Sequence, residues 1–284
     1  MGKKALLVGI NDYAPVGPGG SDLSGCVNDV RDMANTLVIC GFPASTMRVL
    51  TNARATKANI LNGLAWLLKG TKKGDTIVFY YSGHGSYKVD LSGDEVDGKD
   101  ELICPHDWPQ HISDDDLKAI FSKLPAGVQL EVIMDCCHSG TGTRASMVLP
   151  GEETTELLTP RFIEPPFDDT IYEEFKADYK RGTKHLFAEP VAAAKTRAVS
   201  IVPRLNHVLW AGCKDSQVSY ETTIGGQQRG IFTYNFCKVL RATSGAITRK
   251  KLDSTVTAAI SRAGFSQTPQ LEGTRSEIDA RIFT

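Results

Sequence analysis

Apolar residues in this chain follow two periods. Short, nearly unbroken apolar runs occur at Lys4–Ile10, Met47–Thr51, Thr76–Ser82, Gln129–Met134 and His207–Cys213, and Gln267–Gly273 reads as a final short strand. Such runs, without polar alternation, predict strands covered on both faces, as in a parallel sheet. Between them apolar positions recur at helical spacing. Val30, Met33, Ala34, Leu37 and Val38 predict a helix ending near Cys40. Ile60, Leu61, Leu64, Leu67 and Leu68 predict one over Thr56–Lys69. A third starts at Ser113 or Asp114, which can cap it, with Asp114, Asp115 and Asp116 in the first turn where the helix dipole favours acids. Gly230–Leu240 reads as a buried helix, and Leu252, Val256 and Ile260 predict another over Thr248–Ala263. Strands alternating with helices predict right-handed crossovers and an α/β fold. The expectation is a three-layer α/β/α sandwich around a mostly parallel sheet of six strands.

Three stretches break the pattern. Asn11–Ser24 is rich in Gly, Pro, Asp and Ser and reads as a loop. Asp90–Asp107 is acidic, with a short Leu102-Ile103-Cys104 run inside it. From Ser146 to Ser200 no period is sustained, and a stretch that long exceeds an ordinary connection. It is expected to be a surface excursion, partly mobile.

Composition narrows the class without deciding it. The 284 residues, 41% hydrophobic and 23% charged, suit one globular α/β domain. A net charge of −1 gives no bulk electrostatic case for nucleic acid or an anionic membrane. No run reaches the roughly 18 apolar residues of a spanning helix. The apolar stretch after Lys3-Lys4 is too short for a signal sequence and reads as the first strand. Seven cysteines, an odd number with no C-x-x-C pair, suit a reducing compartment, so a cytoplasmic address is expected.

The candidate chemistry lies at two strand ends. One run ends in Asp135-Cys136-Cys137-His138-Ser139-Gly140, the other in Ser82-Gly83-His84-Gly85. Parallel sheets carry their sites at the carboxyl ends of strands. Neighbouring strands would bring the Cys137 thiol beside the His84 imidazole, as a nucleophile and its base. Gly83 and Gly85 allow sharp turns around His84. Backbone N–H groups of Gly85 and Cys137 could hold a developing oxyanion. The plain alternative is two core cysteines and a histidine in a turn. Zinc binding is disfavoured, because adjacent ligands rarely converge on one tetrahedral ion. A Cys136–Cys137 disulfide would be strained.

These motifs resemble those of the metacaspases and their bacterial relatives, the orthocaspases, which belong to the caspase-like cysteine peptidases. The resemblance runs from Lys4 to about Gly273 and implies a single caspase-like domain. Residues 1–145 would be large-subunit-like, 146–200 a linker and 201–284 small-subunit-like. It assigns Cys137 as nucleophile, because in that family the nucleophile directly precedes His-Ser-Gly. Leu23-Ser24-Gly25-Cys26-Val27-Asn28-Asp29 resembles a second family motif. By position, Cys26, Asp29, Ser82 and Asp135 would line the pocket for the substrate residue before the scissile bond, P1. Two acids in one pocket imply Arg or Lys there, with Arg suited to bidentate pairing. The segment from Trp210 through Cys213 to Ser219 resembles one wall of the groove, with Trp210 in that wall or in the core. Calcium ligands carried over from calcium-dependent members would be Asp100, Asp114 and Asp115. The acid expected soon after the nucleophile is missing from Thr141–Ala145.

The implied activity is an endopeptidase cleaving proteins or peptides after Arg or Lys, monomeric, without an organic cofactor, and with Ca²⁺ as the candidate stimulating ion. Basic residues of the excursion, among them Arg161, Lys176, Arg181 and Arg197, would allow self-cleavage. Two rival readings are a catalytically idle binding scaffold and an asparaginyl-type thiol peptidase or transpeptidase. A panel of P1 reporter peptides separates them.

Overall fold

The computed structural model describes residues 1–13, 22–89, 99–137, 145–148, 155–163, 207–214 and 217–284. The His138-Ser139-Gly140 turn, the acids Asp94, Glu95 and Asp97 and most of the 146–200 excursion lie outside the described residues. Six strands make the central sheet: β1 (Lys3–Gly9), β2 (Met47–Thr51), β3 (Thr76–Ser82), β7 (Gln129–Asp135), β10 (Val208–Ala211) and β13 (Gln270–Glu272). Their order is β13-β10-β7-β3-β1-β2, and only β13 runs antiparallel, against β10. The mostly parallel six-stranded sheet with helices on both faces is therefore present.

Alternate residues of each strand enter opposite layers, as the pleat requires. Ala5, Leu7, Val78, Tyr80 and Ile133 pack on one face with Met33 and Leu37 of α1 (Cys26–Ile39), Phe232 and Phe236 of α4 (Ile231–Thr243), and Leu252 and Val256 of α5 (Arg249–Arg262). Leu6, Val8, Phe79, Tyr81 and Val132 face the other way, onto Ile60 and Leu64 of α2 (Lys57–Leu68) and Leu117 and Phe121 of α3 (Asp114–Phe121). Each fully buried large side chain contributes roughly 1.5–3 kcal/mol, so both layers hold the strands in register. Ser113 caps α3 in a reciprocal box with Asp116. Trp210 is core: it is buried edge-on against Phe236, 5.1 Å between ring centroids, and forms no groove wall.

Two smaller sheets depart from the sequence reading. β4 (Gly85–Val89), β5 (Lys99–Ile103) and β6 (Ile112–Ser113) form an antiparallel sheet where only an acidic segment was expected. β8 (Ala145–Val148), β9 (Thr155–Pro160), β11 (Tyr220–Ile224) and β12 (Gln227–Gly230) form a four-stranded sheet, in order β12-β11-β9-β8. Part of the presumed surface excursion is thus ordered chain that returns to the body of the molecule. A last short helix, α6 (Arg275–Asp279), opens with a capping box of Thr274 and Glu277.

Candidate active site

Register fixes the site. β3 and β7 pair in parallel with Ser82 opposite Asp135. His84 and Cys137 each lie two residues beyond that pair, at the carboxyl ends of neighbouring strands. Both are fully buried. Two tyrosines that the sequence did not single out hold the His84 turn. Tyr13, just past β1, accepts a hydrogen bond from the His84 N–H at 2.7 Å, and its ring lies 4.9 Å from the imidazole. Tyr81 Oη lies 2.7 Å from the His84 carbonyl and 2.8 Å from that of Cys104. The Cys137 thiol sits against Ser219: its sulfur accepts from the Ser219 N–H at 2.6 Å and lies 3.2 Å from the Ser219 carbonyl.

The chain's own residues 155–163 run through this site. β9 pairs antiparallel with β11, Pro160 opposite Tyr220 and Thr159 opposite Glu221. The Arg161 N–H then donates to the Ser219 carbonyl at 3.0 Å. The Arg161 carbonyl accepts two bonds, from the Gly85 N–H at 3.0 Å and the Cys137 N–H at 3.2 Å. These are the two donors anticipated for an oxyanion. Beyond it, Ile163 N–H donates to the Gly85 carbonyl at 3.0 Å and Ser86 Oγ to the Ile163 carbonyl at 2.8 Å. The backbone on both sides of the Arg161–Phe162 peptide is therefore hydrogen-bonded to the site.

The Arg161 side chain fills the acidic pocket and is fully buried. Nη2 is 2.6 Å from Asp29 Oδ2 and 3.2 Å from Glu221 Oε2. Nη1 is 3.0 Å from Asp135 Oδ2 and 2.9 Å from Ser82 Oγ. Of the four pocket residues expected from sequence, Asp29, Ser82 and Asp135 touch the guanidinium. Cys26 instead lies 3.9 Å from Glu221 Oε2.

Each carboxylate is braced from behind. Asp29, in the first turn of α1, accepts from the Gly230 N–H at 3.0 Å. Asp135 accepts from Ser219 Oγ at 2.5 Å and Thr233 Oγ1 at 2.6 Å. A Cβ on Gly230 would collide with Asp135, Arg161 and Asp29, so only glycine lets α4 start this close to the pocket. Burial pushes the Asp29 carboxyl up to about 6, opposed by the Arg161 charge and reinforced by Asp135. Burial works against the charge on Arg161, but Asp135, Asp29 and Glu221 outweigh it and hold the guanidinium protonated.

The proposed calcium ligands lie elsewhere and are already paired. Asp100 meets Lys88 at 3.1 Å, and Asp114 and Asp115 meet Lys118 at 2.9 and 3.3 Å. Among the described residues no three His, Cys, Asp or Glu side chains gather as a metal site would need. Among those residues, too, no helix is long and apolar enough to cross a membrane.

Residues 3–145 match the family described as metacaspase, peptidase C14 domain. The chain belongs to the metacaspase family. Metacaspase-1 of Pyricularia oryzae is 33% identical over 291 aligned positions, covering 95% of this chain and 71% of that one. Metacaspase-1 of Mycosarcoma maydis is 34% identical, covering 95% and 69%. The crystal structure of protein GSU0716 from Geobacter sulfurreducens superposes with a TM-score of 0.66 at 25% identity, over 100% of this chain and 99% of that one. Metacaspases are cysteine peptidases, and the two motifs quoted for the resemblance lie at adjacent strand ends of this fold.

The sequence reading placed Ser219 only at the end of the groove-wall segment, and missed Glu221, Thr233 and Tyr13. All reach the site through folding, across sequence gaps that no local motif spans. It named Arg161 only as one basic residue among several in the excursion. The one local sign was Thr155-Glu-Leu-Leu-Thr-Pro-Arg-Phe-Ile163, a short apolar-rich run inside a polar stretch.

Proposed function

We propose that this metacaspase is an endopeptidase that cleaves after Arg and Lys, and that its first substrate is its own Arg161–Phe162 bond. One observation carries the proposal: the Arg161 carbonyl is held by the Gly85 and Cys137 N–H groups while its guanidinium occupies a pocket of buried acids. A peptide bond bound this way has its carbonyl polarised at the strand end that carries the thiol.

In the proposed reaction His84 takes the Cys137 proton and the sulfur attacks the P1 carbonyl carbon. The oxygen of the tetrahedral intermediate keeps the hydrogen bonds from Gly85 and Cys137. His84 then returns the proton to the leaving amine nitrogen, which for the internal bond is that of Phe162, and a thioester remains. Water, deprotonated by His84, hydrolyses the thioester and frees the thiol. No step of this reaction is routed through calcium.

The test is a reporter panel with Arg, Lys, Asn or Asp at P1, together with mass spectrometry of the purified chain. Turnover of Arg and Lys reporters is expected, with none of Asp and a new terminus at Phe162. Cys137→Ala and His84→Ala should stay uncut and inactive. A Cys137→Ala chain that still processed alone, or a preference for Asn, would overturn the proposal.

A further inference from the structure

The pocket holds one carboxylate more than the sequence motifs account for. Glu221 comes from β11, the strand against which β9 pairs, and is buried. Its Oε1 accepts from the Ser24 N–H at 2.7 Å and its Oε2 from the Gly25 N–H at 3.1 Å. The same Oε2 lies 3.2 Å from Arg161 Nη2. The carboxylate is therefore pinned by two backbone donors and still presents an oxygen to the P1 guanidinium.

We infer that Glu221 determines specificity, selecting Arg over Lys at P1. The pocket has two polar sides. One, Asp135 with Ser82, takes Nη1; the other, Asp29 with Glu221, takes Nη2. A guanidinium has two terminal nitrogens in a rigid fork and serves both sides at once. An ammonium has a single nitrogen. Ser82 Oγ, 3.0 Å from Asp29 Oδ2, links the two sides, so one nitrogen can sit between Asp29 and Asp135, but it then leaves Glu221 buried without a cation. Unpaired buried carboxylates are costly, so the third acid widens the gap between the two substrates. Arg161 Nε, by contrast, has no hydrogen-bond partner among the described residues, so discrimination rests on the terminal nitrogens.

This rests on the reading that the pocket takes P1 side chains, and the test separates the two. For Glu221→Gln, kcat/KM on Arg reporters is expected to fall about tenfold or more, the usual effect of losing a charge-assisted hydrogen bond. On Lys reporters the fall should be about threefold or less, so the Arg-to-Lys ratio collapses. Glu221→Asp, which keeps the charge but draws it back, should lie between. If Glu221 only anchored Ser24 and Gly25, both substrates would suffer alike, and equal losses overturn the inference. A second readout needs no turnover. In Cys137→Ala, trypsin should cut Arg161–Phe162 slowly, because Arg161 is buried, and at least about fivefold faster once Glu221→Gln is added. If wild type turns over neither reporter, the endopeptidase reading falls, and an unchanged tryptic rate then overturns the role of Glu221 as well.

Discussion

Asp29 couples the pocket to the pH of the solution. Its carboxyl is pushed up to about 6 by burial, against the opposing charge of Arg161. The form that pairs with a P1 cation is the ionised one. About 6 is the value with the Arg161 cation seated; without it, burial and Asp135 hold the carboxyl higher still. Binding of a cationic P1 group is therefore expected to weaken as pH falls toward 6. In chain already cut at Arg161, KM for Arg reporters should rise on the acid side, and Asp29→Asn should raise it at pH 8 while flattening that acid dependence. A KM equally steep in Asp29→Asn would assign the effect to another group. Asp135, Glu221 and the Cys26 thiol face the same pocket, so the variant comparison is what isolates Asp29.

At the scale of elements, β7 repays attention, because its apolar run hides a charge. Glu131 is fully buried in mid-strand, ion-paired with Arg249 at the start of α5 and accepting from Trp210 Nε1 at 2.8 Å. The pair ties the central sheet to α5 far from the thiol. Breaking a buried pair from one side costs about 3–5 kcal/mol. Arg249→Met in the Cys137→Ala background is thus expected to lower unfolding free energy by that amount in urea. The same change in active chain, assayed well below its unfolding temperature, should leave reporter kcat/KM near wild type. An unchanged urea midpoint would mean the pair is not what holds α5. The strands that position the site were legible because their runs are long and apolar on both faces. β4, β5, β9 and β11 were not: they are short, mixed in polarity, and become strands only because an edge is there to receive them.

At the scale of the whole molecule, the chain holds a substrate-like segment in its own active site. The bond proposed for cleavage, Arg161–Phe162, is already hydrogen-bonded at the site, so self-scission is expected to be intramolecular. Its first-order rate constant should stay constant across a hundredfold dilution of freshly refolded protein, about the range a gel time course covers. A rate rising with concentration would mean one chain cuts another. Arg161→Gln should abolish scission at this bond, since a neutral amide leaves three carboxylates without their cation.

The sequence alone determined the sheet, its flanking helices and the two strand ends, because these follow from local periodicity and from motifs a few residues long; the pocket residues came from the resemblance to the family. Only the tertiary structure decided what fills the pocket. Arg161 and Glu221 lie outside the motifs along the chain, and what makes them part of the site is backbone pairing between β9 and β11 and the electrostatic demand of buried carboxylates for a cation. Pairing and charge compensation of that kind are properties of the folded surface, and no window of sequence contains them.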